Sequence, residues 1–222
     1  MIAWANTGAR ENDWIIAESQ TSGRGRLGRS WNSSEGNFFG STLVRLREGD
    51  PEPATLSMLA AIFISDRIRQ FTPDQNSLAL SIKWPNDLLF NGAKIAGILL
   101  ERREQFVVVG IGVNIASAPA LDDRSTACIR DFWPHPLTPD GFFAGLAQFN
   151  WLLMRWRRQG LPWLREEWLR RAHPIGTPLT VKLGEGAEVA GLFAGLNHDG
   201  SLSLRLADGT IRAIHAGDVF LI

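Results

Sequence analysis

The apolar positions in the first half of the chain predict an alternation of strands with one helix. Residues 14–20 and 36–46 are apolar runs next to glycines, which is typical of strands. Between residues 54 and 71, apolar side chains recur near the 3.6-residue period of an amphipathic helix. The pair Asn91-Gly92 stands between two apolar runs and is a strong hairpin signal. We therefore expect further strands over residues 78–84, 87–100 and 106–115.

Helical spacing returns after Thr138. Thr138 and Pro139 supply an N-cap and a first-turn proline for a helix expected to reach about residue 159. A second helix is predicted over residues 163–172, separated from the first by Gly160-Leu161-Pro162. Four tryptophans share the helical spacing with leucines and are predicted to lie in the core: Trp151, Trp156, Trp163 and Trp168.

The last part of the chain is divided into short strands by glycine-containing turns. These turns fall at residues 184–186, 198–200 and 208–209. The fold class predicted is α/β (α+β), with a mixed sheet and helices over residues 1–174. Residues 175–222 are predicted to form a small five-stranded, SH3-like β-barrel, which is too short to bury much core without its neighbour.

Composition and charge narrow the class of protein. The chain has 23 basic residues (lysine and arginine) and 23 acidic residues (aspartate and glutamate). Its formal net charge is therefore zero, which disfavours bulk nucleic-acid binding. The single cysteine, Cys128, cannot form an internal disulfide; it is expected to be inert and favours a reducing compartment, by default the cytoplasm. No apolar run approaches the roughly 20 residues of a membrane span. The histidines lack metal-ligand spacing, so we expect no metal site and place them at the surface or in turns: His135, His173, His198 and His215.

A glycine- and arginine-rich segment follows the first predicted strand. Residues 23–31 read GRGRLGRSW and contain G-x-G-x-x-G, the pattern of a dinucleotide-binding turn. That turn needs a helix directly after it, whereas residues 29–36 are polar and lack helical periodicity, so we reject this reading. Arg24, Arg26 and Arg29 concentrate positive charge and indicate an anionic ligand. A solvated basic loop or an RNA-binding segment remains an equal alternative.

The predicted hairpin carries a lysine and an aspartate on one face. If Asn91-Gly92 closes a two-residue turn, Leu89 pairs with Lys94 and Asp87 pairs with Ala96. The α-carbons of Asp87 and Lys94 are then roughly 7 to 8 Å apart on a diagonal. The two side chains could flank one ligand, or they could form a structural ion pair.

Glycines on the neighbouring strands suggest room for a ligand. Gly97 and Gly110 lie within apolar strand segments, where glycine often marks a bulge or the close approach of a backbone or a ligand. The arginine-rich segment supplies cations, the hairpin supplies Asp87 and Lys94, and the glycines supply small residues. All of them are predicted to lie at neighbouring strand ends. Such an arrangement is typical of a ligand site.

Four motifs in this order resemble bacterial biotin protein ligases of the short form without a DNA-binding domain. They are GRGRLGRSW (23–31), KWPND (83–87), KIAGILLE (94–101) and VGIGVN (109–114). The resemblance covers about residues 14–222. It implies that the carboxylate of biotin attacks the α-phosphate of ATP, with Mg²⁺ assisting, to give biotinyl-5'-adenylate and pyrophosphate. A lysine of biotin carboxyl carrier protein then attacks the acyl carbon.

The resemblance also implies roles for individual residues. Gln20, Gly23, Arg24 and Arg26 match positions that bind biotin and close over the adenylate, while Trp31 and Asn114 match adenine contacts. Catalytic roles fall to Lys94, Arg26, Arg29 and Asp87. Binding roles fall to Gln20, Gly23, Arg24, Arg26, Trp31, Lys83, Asn86, Lys94, Gly97, Gly110 and Asn114.

One family feature has no counterpart in the chain. A Ser/Thr-rich motif ending in asparagine would fall before Met1, and residues 1–8 are interpreted as the tail of the helix that follows it. We therefore expect an N-terminally truncated ligase, acting on carrier protein as a monomer or weak homodimer, without DNA or membrane as partners. The alternatives are a lipoate or octanoate ligase, and a non-catalytic module that binds adenylate or RNA.

Overall fold

A computed structural model describes residues 2–5, 8–71, 79–133, 137–183 and 187–221. The helices of these residues are α1 (Ile2–Ala5), α2 (Leu56–Gln70), α3 (Pro139–Phe143) and α4 (Ala147–Leu169). The strands of the first part are β1 (Trp14–Ala17), β2 (Phe38–Arg45), β3 (Leu80–Lys83), β4 (Asp87–Phe90), β5 (Ala93–Arg103) and β6 (Phe106–Val113). The strands of the last part are β7 (Pro178–Lys182), β8 (Glu188–Leu196), β9 (Leu202–Arg205), β10 (Ile211–Ile214) and β11 (Asp218–Leu221). The expected α/β class is confirmed.

The strands form two sheets. The first has the order β1-β2-β6-β5-β4-β3, and the second has the order β10-β9-β8-β7-β11, which confirms the five strands predicted for the C-terminal part. All ladders in the first sheet are antiparallel. The predicted mixture of parallel and antiparallel strands is therefore wrong for the strands described, and parallel pairing occurs among the described residues only as isolated bridges, Ile82 to Ala172 and Lys94 to Thr126. The turn predicted at residues 184–186 and residue His135 lie outside the described residues.

The first sheet has one apolar face and one open face because strand side chains alternate with a period of two. On β6, Val109, Ile111 and Val113 belong to the main hydrophobic core. Helix α2 packs on this face and α4 packs on α2. Val108, Gly110 and Gly112 alternate along β6 with these core residues and line a cavity on the open face. The sheet therefore supports the core with one face and the candidate site with the other.

The helices predicted over residues 138–159 and 163–172 are interrupted at other places than expected. The expected helix over residues 138–159 is divided into α3 and α4, and Thr138 caps α3 by accepting a hydrogen bond from the Gly141 amide at 3.1 Å. The predicted break at Gly160 is instead a kink within α4, where Gly160 has φ 67°. Pro162 then lies in the first turn after the kink, where a missing N–H costs no helical hydrogen bond.

Two expectations about aromatic and histidine residues are wrong. Trp156, Trp163 and Trp168 are buried as predicted, but Trp151 is 54% exposed. His173 is buried against the ring of Phe193, with the ring centroids 4.3 Å apart, and burial lowers its pKa to about 4. None of the helices in the described ranges has the length and hydropathy of a membrane span.

A polar network fastens α4 to the start of the chain. Arg157 donates hydrogen bonds to Glu11 at 2.7 Å and to Asp50 at 3.1 Å, and Arg47 lies 2.6 Å from Glu11. Burial alone would raise the pKa of Glu11, but the hydrogen bond and charge of Arg157 bring it below its usual value. The network therefore stabilises the fold more when Glu11 is ionised.

Glu11→Gln is expected to lower stability at pH 7 by about 1 kcal/mol. The folded-state pKa of Glu11 is lowered, so its contribution is complete above the unfolded value of 4.5 and is lost as the pH falls through the folded value. Thermal unfolding of both proteins at pH 7 and about pH 3 measures this difference. Glu166→Gln removes an exposed partner of Arg170 and should cost almost nothing. A Glu11→Gln deficit that persists in acid would contradict the ion-pair explanation.

Candidate active site

A cavity of about 890 Å³ lies on the open face of the first sheet. The sequence-predicted residues that line it are Gln20, Arg24, Arg26, Arg29, Trp31, Asn86, Asp87, Lys94, Gly97, Gly110 and Asn114. Gly23 and Lys83 do not line the cavity, but each contacts a residue that lines it. Gly23 is a neighbour of Trp31, and Lys83 Nζ lies 3.1 Å from Asp87 Oδ2. The residues singled out from sequence motifs are thus brought together in one place.

An apolar trough forms one end of this cavity. The indole of Trp31 lies flat against β5 and β6, because a Cβ at Gly97 would lie 2.8 Å from the ring and one at Gly112 would lie 2.6 Å from it. A Cβ at Gly110 would meet only ordinary contacts, the nearest being Leu99 O at 3.5 Å. We define the glycine trough as the surface of Gly97, Gly110 and Gly112. Its lack of side chains lets flat apolar groups approach the sheet closely.

A buried carboxylate between two lysines lies beside the trough. Asp87 is 5% exposed, with Oδ1 2.6 Å from Lys94 Nζ and Oδ2 3.1 Å from Lys83 Nζ. Burial alone would raise the pKa of Asp87, but the charges of Lys94 and Lys83 bring it below its usual value. Burial lowers the pKa of Lys83, and Asp87 opposes that shift. Lys94 Nζ also lies 5.4 Å from the Trp31 ring centroid, so it stands where the trough meets the charged residues.

The predicted strand register needs one correction. Leu89 pairs with Lys94 as expected, but Asp87 pairs with Gly97 rather than with Ala96. The reason is a β-bulge, in which one extra residue, Ile95, is accommodated on β5 between the Leu89 and Leu88 pairs. The bulge leaves Asp87 and Lys94 on one side of the hairpin, where they form the ion pair that the sequence analysis left as an alternative.

The arginine loop, residues 23–31, folds back on itself across the cavity. The Gly25 amide donates to Arg29 O at 2.7 Å and the Trp31 amide donates to Gly23 O at 2.9 Å. A Cβ at Gly23 would lie 2.5 Å from Trp31 O, which explains the glycine. Residues 26–28 form a single 3-10 turn and not the long helix of a dinucleotide-binding turn. The loop is a compact flap with its side chains at the cavity.

Side chains of the arginine loop reach across the cavity to two other elements. Arg26 donates to Asn86 Oδ1 at 3.2 Å and to Gly217 O at 3.4 Å. Arg29 forms an ion pair with Asp218, at the start of β11. Gln20, before the loop, accepts a hydrogen bond from Ser33 Oγ at 2.9 Å. The C-terminal sheet therefore contributes to the site, which the sequence motifs did not indicate.

A second loop, residues 115–127, borders the opposite side of the cavity. Asn37 anchors it: its side-chain oxygen accepts from the amides of residues 115 and 116 at 2.9 Å and of residue 117 at 3.2 Å. Asn114 donates to Ala127 O at 3.2 Å, while its Oδ1 has no protein partner within the ranges the structure describes. That buried oxygen can accept a hydrogen bond from an amino group of a ligand.

Sequence reasoning missed three residues of this site. Asn37 and Asp218 were overlooked, although the Gly36-Asn37 pair directly before β2 was a usable turn signal. Arg124 was overlooked because a single arginine in a polar loop carries no pattern. Its side chain lines the cavity, and a terminal guanidinium nitrogen lies 2.5 Å from the carboxylate of Asp123.

Comparison with known proteins relates the chain to one family. Residues 4–114 match the model of the biotin/lipoate A/B protein ligase family, and residues 175–222 match the biotin protein ligase C terminal domain. The chain is 38% identical to a biotin--[acetyl-CoA-carboxylase] ligase of Paracoccus denitrificans, over 93% of this chain and 89% of the relative. It is 32% identical to the ligase of the same name from Mycobacterium tuberculosis, over 92% of this chain and 77% of the relative.

Solved structures show the same fold. A biotin protein ligase from Aquifex aeolicus in complex with biotin and ATP superposes with a TM-score of 0.84, covering 97% of this chain and 91% of that one at 22% identity. The fold, the two family matches and the identity to full-length relatives agree, and we conclude that the chain belongs to the biotin protein ligase family.

Proposed function

We propose that the chain is an ATP-dependent ligase that converts biotin to biotinyl-5'-adenylate and transfers it to a lysine of a biotin carboxyl carrier protein. The observation that carries this proposal is the position of Lys94. Its ammonium is 2.6 Å from Asp87 and 5.4 Å from the Trp31 ring, at the junction of the glycine trough and the cationic residues. An apolar acid in the trough would present its carboxylate at that junction.

The first step brings two anions together. A carboxylate 4 Å from a phosphate charge is repelled by about 4 kcal/mol at an effective dielectric of 20, so local cations are required. We assign Lys94, Arg26 and Arg29 to this task, with Asp87 holding the Lys94 ammonium in place. As the biotin oxygen bonds to the α-phosphorus, the bond to the β-phosphate oxygen breaks and pyrophosphate leaves. Preorganised cations stabilise the charge that develops on the phosphoryl oxygens.

The remaining predicted residues are assigned to binding. Gly97 and Gly110 accept the ring system of biotin after the Trp31 indole has moved off Gly97, and the free oxygen of Asn114 accepts from the amino group of adenine. Trp31 covers the adenylate from the arginine loop. The set assigned to binding also includes Gln20, Gly23, Arg24, Lys83 and Asn86.

The second step needs no nucleophile from this chain. The carrier lysine, as the neutral amine, forms an amide bond to the acyl carbon, AMP leaves with the electrons of the acyl–oxygen bond, and the amine proton passes to solvent. Cys128 is 5% exposed, and burial followed by its contact with Asp131 raises the pKa of its thiol, so the reactive thiolate is disfavoured.

The donor set does not fit a resident divalent metal. No group of three His, Cys, Asp or Glu side chains with metal-binding geometry occurs in the ranges described, and both oxygens of Asp87 face ammonium groups. Mg²⁺ binds mainly through phosphates and water, so we infer that it enters as the magnesium complex of ATP.

The proposal includes the organisation of the chain and its setting. We place the catalytic domain at residues 1–174 and the SH3-like barrel at residues 175–222, with the barrel contributing Asp218 to the site. We also propose a monomer or weak homodimer that acts in the cytoplasm without DNA or membrane as partners.

The proposal is tested with the purified chain, ATP, biotin and a carrier domain, using streptavidin to detect labelled carrier. We expect labelling that requires both ATP and biotin. Isothermal titration with biotin, lipoate and octanoate separates the alternative acids, and only biotin is expected to bind. Filter binding with RNA is the control for a basic binding module. Absence of labelling together with RNA retention would overturn the ligase assignment.

Arg26→Gly is expected to accelerate the escape of biotinyl-adenylate about tenfold or more, because it removes the hydrogen bonds to Asn86 and Gly217. The measurement is the dissociation rate of the preformed adenylate. Leu27→Gly is the matched control, since Leu27 is 78% exposed and already has φ 55°, so glycine adds flexibility without removing a contact. Equal rates for the two variants would exclude a clamp role for Arg26.

A further inference from the structure

The backbone of the 115–127 loop fixes Arg124 close to Lys94. The Lys94 amide donates to Ser125 O at 2.9 Å, and the Ala127 amide donates to Lys94 O at 3.0 Å. The residue after Arg124 is therefore bonded directly to the backbone of the lysine at the proposed reaction centre. These two hydrogen bonds hold the backbone next to Arg124 beside the backbone of Lys94.

The side chain of Arg124 points to the cationic end of the cavity. It is 17% exposed, lines the cavity, and has its guanidinium carbon 5.8 Å from the ring centroid of Phe220 on β11. The hydrogen bond that Arg124 donates to the Asp123 carboxylate raises the pKa of Arg124, and the charges of Asp87 and Asp218 act in the same direction. Asp218 is also the partner of Arg29. Arg124 and Arg29 thus flank one acidic residue on the barrel side of the site.

The present partner of Arg124 can be exchanged for a ligand. Asp123 is its sequence neighbour, and the Asp123 side chain is 56% exposed. Exposed ion pairs of this kind contribute about 0 to 1 kcal/mol. A phosphate offers the same bidentate acceptor geometry with more charge, and a guanidinium matches it with two parallel N–H donors.

We propose that Arg124 binds the terminal phosphates of ATP, and hence the pyrophosphate leaving group. This assignment rests on the ligase function proposed above. Lys94 stands at the trough, where the α-phosphate must meet the acid, whereas Arg124 lies on the barrel side next to the Arg29–Asp218 pair. Arg124 therefore acts in adenylation and has no phosphate ligand during transfer to the carrier.

The test separates the two half-reactions. In biotin-dependent ATP–pyrophosphate exchange, Arg124→Gln is expected to raise the KM for ATP and for pyrophosphate about 10- to 100-fold. Its affinity for biotinyl-adenylate and its rate of transfer from preformed adenylate should stay within about twofold of the unmodified protein. Arg124→Lys keeps the charge but not the two-pronged donor, and should give an intermediate KM.

Two further variants exclude a merely structural role. Arg130→Gln removes an exposed arginine shortly after the 115–127 loop and should leave both KM values unchanged. Asp123→Asn removes the present partner of Arg124 and should leave the KM for ATP equal or lower. A higher KM in Asp123→Asn, or a matching loss of adenylate affinity in Arg124→Gln, would overturn the proposal. If the unmodified protein shows no exchange at all, the ligase function itself fails instead.

Discussion

Replacing Lys94 with alanine is expected to slow biotinyl-adenylate formation by a factor of about 1,000. The ammonium stands 2.6 Å from Asp87 at the end of the glycine trough, and in the proposed reaction its charge acts at the atoms where the new bond forms. We expect the carrier to dock without using that charge, so carrier affinity should change by less than about threefold. Pyrophosphate release in a single turnover measures the first quantity, and titration of the carrier measures the second.

The matched control for this variant is Lys182→Ala, which removes a lysine whose side chain is 54% exposed on the C-terminal sheet. It should preserve the rate of adenylation. Equal losses of adenylation and carrier affinity in Lys94→Ala would show that Lys94 holds the structure together instead of acting at the reacting atoms.

Asp87→Asn is expected to destabilise the folded chain by about 3 kcal/mol at pH 7, because it leaves two ammonium groups without their shared counter-charge. Lys83 is 9% exposed, and burial already lowers its pKa with only Asp87 to oppose that shift. A lysine whose folded pKa is lowered destabilises the fold while it is protonated, so stability rises as the pH approaches the ordinary lysine value of about 10.4. The deficit of the variant should therefore shrink with rising pH.

Denaturant unfolding at pH 7 and about pH 9.5 measures this recovery. Asp122→Asn, at an exposed position, is the control and should be neutral at both pH values. A deficit of the same size at both pH values would mean that lost packing, not unpaired charge, explains the effect of Asp87→Asn.

Local patterns carried much of the information about the sheet and the site. The two-residue period of β6 places Val109 in the core and Gly110 at the cavity, and the four motifs converge on one surface. The sequence could not show the bulge at Ile95, because an extra residue in a strand leaves the apolar pattern intact. It also could not show that Asp218 meets Arg29, since that contact joins elements 189 residues apart.

Local patterns also did not predict how exposed individual side chains are. His173 follows a helix and precedes a proline, which indicates a turn, but the C-terminal sheet covers it with Phe193. Trp151 has the same helical spacing as its buried neighbours, yet it projects from the exposed face of α4, where the guanidinium of Arg155 lies over its ring. In both cases the neighbouring element, and not the residue's own segment, decides the exposure.

Lys83 on the first sheet donates a hydrogen bond to the carbonyl of Val219 on the second sheet at 2.7 Å. A chain ending at residue 174 would leave the Lys83 ammonium without that acceptor and the Arg29 guanidinium without Asp218. We therefore expect the two sheets to unfold together in part, and we expect a loosened second sheet to weaken the proposed binding of nucleotide on the first.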